Sequence, residues 1–263
     1  FEPHPRKVLT PNEAPPLLTT LEQKLELLES YGIGCVILEA FGPEFAQVPP
    51  DRFVREYIHQ RIRPVEVYVG YDFHYGRDRA GSMRLLTETG PRLGFSVTII
   101  GEITIGGRDV NSTRVRELLG RGEVEEVAEL LGRPFSARGS IGEGDHRGRQ
   151  LGFPTANLQA ENEVLPADGV YAGEALFLDE GDPARGTRLP AVSNVGRRPT
   201  FGDGQRVIAE AHLIDFDGDL YGRRIELSFA HHLRGEQKFD GPDALRAQIA
   251  RDVEACRERL GSS

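Results

Sequence analysis

Apolar positions recur along this chain with two different periods, and the change between them falls near residue 132. In the first stretch Leu21, Leu25 and Leu28 stand at helical spacing, with Gly32 following as a C-cap, so the pattern predicts a helix. Cys35-Val36-Ile37-Leu38 is a short continuous apolar run, the pattern of a strand buried on both faces. Residues 51–62 predict a second helix, with Phe53, Val54, Tyr57, Ile58 and Ile62 on one side. Strand-like runs at 65–70 and 95–100 flank a third helical segment at 82–93. Strand, helix, strand, helix, strand implies a parallel sheet with crossover helices. Two short helices, near 113–119 and 123–131, close this half.

Gly132-Arg133-Pro134 is the clearest boundary, dividing the chain into domains at 1–132 and 133–263. Beyond it the helical period vanishes for about a hundred residues. Short β-rich pieces replace it, separated by Gly, Pro and Asp turns: 169–172, 189–192, 207–216 and 224–229. Such spacing predicts an antiparallel barrel or sandwich. A long helix ends the chain, its apolar stripe formed by Leu245, Ile249, Val253, Cys256 and Leu260.

At 263 residues the chain is long enough for two domains, each with its own core. Its 32 basic and 41 acidic residues leave a net charge of −9, which argues against a nucleic-acid backbone as main partner. Two distant cysteines, Cys35 and Cys256, read as buried reduced thiols, as expected of a cytoplasmic protein. No apolar run approaches ~18 residues, so no membrane-spanning helix is expected. There is no signal-peptide pattern, and the opening Phe1-Glu2-Pro3-His4-Pro5, without Met, reads as an entry into the middle of something.

Candidate chemistry is densest between Gly142 and Asn157, where several glycines accompany Arg147 and Arg149. Backbone N–H groups and guanidinium charge in one loop can wrap an anion. The triplet a P-loop requires is absent, and a dinucleotide fingerprint would need a glycine where Arg147 stands. Taken alone, such a loop reads as a surface hairpin. Pro154-Thr155-Ala156-Asn157, preceded by Arg147-Gly148-Arg149 and Leu151-Gly152, resembles the signature of riboflavin kinases. Similar elements follow in order: Pro166-Ala167-Asp168-Gly169-Val170-Tyr171-Ala172; then Val192-Ser193-Asn194-Val195-Gly196 with Pro199-Thr200-Phe201, read as a loop; Glu210-Ala211-His212-Leu213; and Leu233-Arg234-Gly235-Glu236 with Phe239. The resemblance implies ATP as co-substrate and Mg2+ held by Thr155 and Asn157, with Gly148 in the nucleotide loop. It implies Glu210 as the carboxylate that takes the proton of the ribityl 5′-hydroxyl, and Arg234 in a flap near flavin and nucleotide. Without it, Glu210 would read as a solvent-facing strand residue.

Asp215, Asp217, Asp219 and Glu226 mimic a calcium loop, but Leu220 stands where the sharp turn needs glycine, so a hairpin turn is expected. The pair His231-His232 lacks partners at metal-ligand spacing and reads as structural or solvated.

In the first half, Asn111-Ser112-Thr113 precedes a helical stripe, with Arg116 one turn on, which makes either a phosphate site or an ordinary capped helix. Together with Val69-Gly70-Tyr71-Asp72-Phe73-His74-Tyr75-Gly76 it resembles the FMN adenylyltransferase domain of bacterial bifunctional riboflavin kinase/FAD synthetases. That resemblance implies a Rossmann-like nucleotidyltransferase fold and ATP contacts from Ser112, Thr113, Arg116 and Asp72. The family's Gly-x-Phe-Asp-Gly and His-x-Gly-His elements are missing, with the first βα unit of its sheet, so a complete chain of this sequence is expected to make little or no FAD. The expected reaction is riboflavin plus ATP to FMN, with FMN adenylylation belonging to an intact parent. The alternative is a flavin- or nucleic-acid-binding barrel without turnover.

Overall fold

The computed structural model describes residues 1–142, 152–199 and 205–261. The chain opens with α1 (Pro5–Leu9) and α2 (Leu21–Ser30), followed by α3 (Pro43–Ala46) and a single turn, α4 (Pro50–Arg52), that runs on as a π-helix, Phe53–Gln60. Next come β1 (Glu66–Gly70), α5 (Met83–Thr89), β2 (Ser96–Ile100) and a small hairpin of β3 (Thr104–Ile105) and β4 (Arg108–Asp109). Helices α6 (Ser112–Leu119) and α7 (Val124–Leu131) precede the strands β5 (Phe135–Gly142), β6 (Ala156–Ala160), β7 (Gly169–Phe177), β8 (Arg188–Pro199), β9 (Gln205–Leu213), β10 (Arg224–Phe229) and β11 (His231–Arg234). The terminal helix α8 spans Pro242–Gly261.

The elements gather into two compact units, one of Phe1–Pro15 with Tyr31–Asp109, the other of Pro16–Ser30 with Val110–Ser263. In the first, β1 and β2 pair in parallel, with Val67 opposite Val97 and Val69 opposite Ile99. Val54, Val69, Tyr75, Leu86 and Phe95 form its core. The π-helix realises the helix expected at 51–62, with the Phe53 and Tyr57 rings stacked at 5.8 Å. The strand expected at Cys35-Val36-Ile37-Leu38 is corrected: these residues take no regular secondary structure and have no ladder partner among the described residues. An apolar run becomes a buried strand only when other strands and an apolar layer cover it. Ile37 is instead 60% exposed and Leu38 47%. Cys35 is therefore exposed, against the expectation of burial, whereas Cys256 is buried with its thiol pKa pushed up by desolvation. A thiol reagent should thus label Cys35 in the native protein and Cys256 only after unfolding, as mass spectrometry of the labelled peptides would show.

In the second unit β10, β5, β6, β9, β8 and β7 pair in that order, β10 returns to β7 to close the ring, and β11 adds to the outside of β7. The result is a six-stranded antiparallel barrel. Glycines permit its tight bends: a Cβ on Gly173 would lie 1.9 Å from the Ser228 carbonyl oxygen, and one on Gly139 2.1 Å from that of Gln159. Small and apolar side chains, among them Ala191, Val195, Ala209, Ala211 and Tyr171, fill the interior. On the outer wall, Val170, Ala172 and Val192 meet Val253 and Cys256 of α8, so the predicted terminal stripe is real.

The barrel core also takes in Val115, Leu118 and Leu119 of α6 and Val124, Val127 and Leu130 of α7. The compact unit holding the barrel thus begins well before Gly132. α2 joins it as well. Thr20 and Gln23 form a capping box, each backbone N–H bonded to the other's side-chain oxygen at 3.0 and 3.1 Å. Gln23 is buried and also accepts from Asn162 Nδ2 at 2.8 Å. Arg138 on β5, only 5% exposed, reaches Glu26 and Glu226, while Arg224 on β10 holds Glu22 and Glu161. Burial opposes the charge of Arg138, but its carboxylate partners more than offset this and raise its pKa; those of Arg224 do the same. The hydrogen bond from Arg224 holds Glu22 below the usual carboxylate range. Because that pKa is depressed on folding, its stabilisation is fully present above the unfolded value and is lost as pH falls through the folded one. A urea midpoint followed from about pH 6 to about pH 3 should therefore fall in wild type more than in Glu22→Gln.

Candidate active site

Strand alternation decides which side chains reach the outer wall of the barrel. Ala156 and Leu158 of β6, Ala209 and Ala211 of β9, and Ala191, Ser193 and Val195 of β8 are buried. Asn157, Glu210 and Asn194 alternate with them and face outward. The register brings them side by side: Asn157 pairs with Glu210, Glu210 with Asn194, Asn194 with Val170, and Val170 with Arg234. Neighbouring strands lie about 4.8 Å apart, so an amide, a carboxylate and a second amide stand in one row.

Thr155, exposed just before β6 and two residues from Asn157, lines a cleft of about 610 Å³ that also takes in Ile141, Ala156 and Leu213 of the barrel core and Phe216, Asp217 and Tyr221. His212, two residues beyond Glu210 on the same face, fixes this entry. Its Nδ1 donates to the Pro154 carbonyl at 2.9 Å, and its ring meets Phe153 edge-on at 5.4 Å. His212→Ala should loosen the Pro154-Thr155 turn with little effect on folding, seen as faster amide hydrogen exchange at 153–156 with an unchanged thermal melting point.

Sequence reasoning placed Glu210, Asn157 and Thr155 together but gave no role to Asn194 or His212. The signal was available in the two-residue period: Glu210 outward requires His212 outward. The stretch from Val192 to Gly196, expected as a loop, lies instead within β8, paired to β9 throughout and to β7 as far as Val195. Gly148, Arg147, Arg149, Thr200 and Phe201 lie outside the described residues. Arg234, at the end of β11, is held by Asp252 of α8.

The calcium-loop mimic is dispersed. Both carboxylate oxygens of Asp215 accept from Arg257, at 2.9 and 3.1 Å, and Glu226 sits on β10 bonded to Ser136 and Arg138. His231 and the backbone of His232 meet Glu125 of α7, and the His232 ring lies 5.1 Å from Tyr171, a structural placement.

The other candidates divide between the units. Asn111 caps α6, its Oδ1 accepting from the Arg114 N–H at 2.9 Å, and Ser112 and Thr113 open the helix. Arg116 Nε donates to the Pro16 carbonyl at 2.7 Å, and burial lowers its pKa. Asp72, in the first unit, is exposed in the turn after β1, where its carbonyl accepts from His74 Nδ1 at 2.8 Å.

A small closed barrel with this polar row is joined to a unit built on a parallel strand pair. The riboflavin kinase family model matches residues 131–260 and the FAD synthetase family model residues 1–114, so the chain falls among the transferases. The bifunctional riboflavin kinase/FMN adenylyltransferase of Escherichia coli K12 is 38% identical over 261 residues, covering 99% of this chain and 81% of that protein. The Haemophilus influenzae protein of the same description is 33% identical, covering 100% and 83%. This chain belongs to the bifunctional riboflavin kinase/FMN adenylyltransferase family. It also superposes with a TM-score of 0.80 and 28% identity on a solved structure from Streptococcus pneumoniae described as a macrolide-efflux protein, covering 91% of this chain and 75% of that one. Among the described residues of this chain no helix is long and apolar enough to cross a membrane.

Proposed function

We propose that the barrel phosphorylates the 5′-hydroxyl of riboflavin with ATP to give FMN, in a domain at 133–263, and that adenylylation of FMN to FAD is the second reaction of the family to which the chain belongs. The observation carrying this reading is the pairing of Asn157 with Glu210 on the outer wall, beside the cleft lined by Thr155. Phosphoryl transfer needs positioning, neutralisation of phosphate charge and a base at the accepting hydroxyl. Glu210 accepts the hydroxyl proton as the oxygen bonds to the γ-phosphorus and ADP departs.

The Thr155 hydroxyl and Asn157 carbonyl oxygen are hard ligands of the type Mg2+ takes. No group of three or more His, Cys, Asp or Glu side chains suited to a metal occurs among the described residues. A donor set of neutral oxygens fits an ion that keeps several waters and rests mainly on substrate phosphates. Mg2+ held there would neutralise phosphate charge, and Gly148 and Arg234 would complete the surroundings of nucleotide and flavin. For adenylylation, the start of α6, with Ser112, Thr113 and Arg116, would face ATP phosphates, and Asp72 would serve from its own turn.

Incubation with riboflavin, ATP and MgCl2, with FMN and FAD separated by chromatography, tests the proposal. FMN is the expected product. Riboflavin bound but unchanged would favour a flavin-binding barrel without turnover, and FAD formed from added FMN would show that the residues present suffice for adenylylation.

A further inference from the structure

We infer that Asp252, on the terminal helix, is a positioning residue for the kinase reaction: through Arg234 it holds residues 235–241 against the strand wall that carries Glu210. The inference rests on the reading of that wall as the reaction site.

Asp252 is only 5% exposed, and a buried carboxylate is costly unless paired. Arg234 Nε donates to its two oxygens at 3.1 and 3.2 Å, Arg234 Nη2 to Oδ2 at 2.8 Å, and Gln248 Nε2 to Oδ1 at 2.8 Å. The fork fixes the guanidinium in orientation as well as in place. Its position matters because Arg234 is the last residue of β11, reached across a register shift after His232. Arg234 Nη1 donates to the Gly235 carbonyl at 3.0 Å, and the guanidinium lies 5.7 Å from the Phe239 ring centre. One side chain thus ties the start of the segment, its aromatic residue and the following helix together.

The segment in turn touches the wall. A Cβ on Gly196 would lie 2.6 Å from Glu236 Oε1, so the Glu236 carboxylate reaches the wall at Gly196. Gly196 stands two residues along β8 from Asn194, on the same outward face, and Asn194 is paired with Glu210. The ladder supplies the continuous link: Arg234, held by Asp252, pairs with Val170, Val170 with Asn194, and Asn194 with Glu210. Anchoring α8 does not require the ion pair, because Ile249, Val253 and Cys256 already pack it against Val170, Ala172 and Val192. An apolar pair would serve that purpose equally well.

The test is a double-mutant cycle of Asp252→Asn and Arg234→Gln, read as kcat and KM for riboflavin, with hydrogen exchange along the chain. Asp252→Asn is expected to lower kcat/KM about 10- to 100-fold and to speed exchange at 235–241 while leaving the barrel strands unchanged. The double variant should be within about twofold of the weaker single variant, because both act through one contact. Asp252→Glu should recover part of the loss. Folded Asp252→Asn with kcat/KM within about twofold of wild type, or losses that multiply, would overturn the inference. If Asp252→Asn does not fold, Arg234→Lys, which keeps the charge but not the fork, carries the same prediction. The two readings fail differently. Full turnover by Glu210→Gln would remove the reaction site, whereas an inactive Glu210→Gln beside a normal Asp252→Asn would remove only the positioning role.

Discussion

Glu210→Gln is expected to lower kcat for riboflavin phosphorylation by about 100-fold or more while the KM for riboflavin changes only a few-fold. The substitution keeps the size and hydrogen-bonding capacity of the side chain and its place in β9 opposite Asn157 and Asn194. What it removes is a group able to take a proton. Loss of an interaction made only in the transition state lowers kcat and kcat/KM together, the pattern steady-state kinetics would reveal. An equal thermal melting point would exclude unfolding as the cause. Turnover like that of wild type would take Glu210 out of the mechanism.

Arg138→Leu should destabilise the barrel unit by about 3–5 kcal/mol in urea unfolding, the cost of leaving buried charge without its partner. Arg138 is almost fully buried and binds Glu226 beneath it and Glu26 of α2. Removing it leaves the Glu226 carboxylate on β10 with the Ser136 hydroxyl, at 2.8 Å, but without its guanidinium, and takes from α2 its deepest charged anchor. The double variant Arg138→Leu/Glu226→Leu should recover much of the loss, because the uncompensated carboxylate is then gone as well. If the double variant is worse by the sum of two full losses, the pair is not coupled as its geometry requires.

The strands were legible because the barrel is patterned locally: glycine and proline turns mark their ends, and alternation separates the packed Ala209 and Ala211 from outward Glu210. The terminal helix was legible for the same reason, its stripe recurring at helical spacing through Ile249, Val253 and Cys256. Exposure of the Cys35 run was not, because an apolar segment acquires a ladder only from partners elsewhere in space. Nor could local pattern tell that α2 docks through the polar Gln23, Glu22 and Glu26 and not through leucines alone. Thr155, Asn157 and Glu210 were found through a family signature, and register then explained why residues more than fifty positions apart belong together. Asn194 was hidden by reading its strand as a loop. Asp252 was hidden because a lone acidic residue in an amphipathic helix looks like any solvated one until Arg234 is seen across from it.

If phosphoryl transfer occurs on the outer wall around Asn157 and Glu210, the metal that accompanies ATP binds within reach of those two residues. Amide NMR of the protein with ATP, Mn2+ replacing Mg2+, tests it most directly, since the paramagnetic ion broadens the signals nearest to it. Signals of residues 155–157 and 209–211 should be lost first, and Asn157→Ala should weaken that loss. Broadening confined to other regions, such as the start of α6, with 155–157 and 209–211 unaffected, would contradict the account.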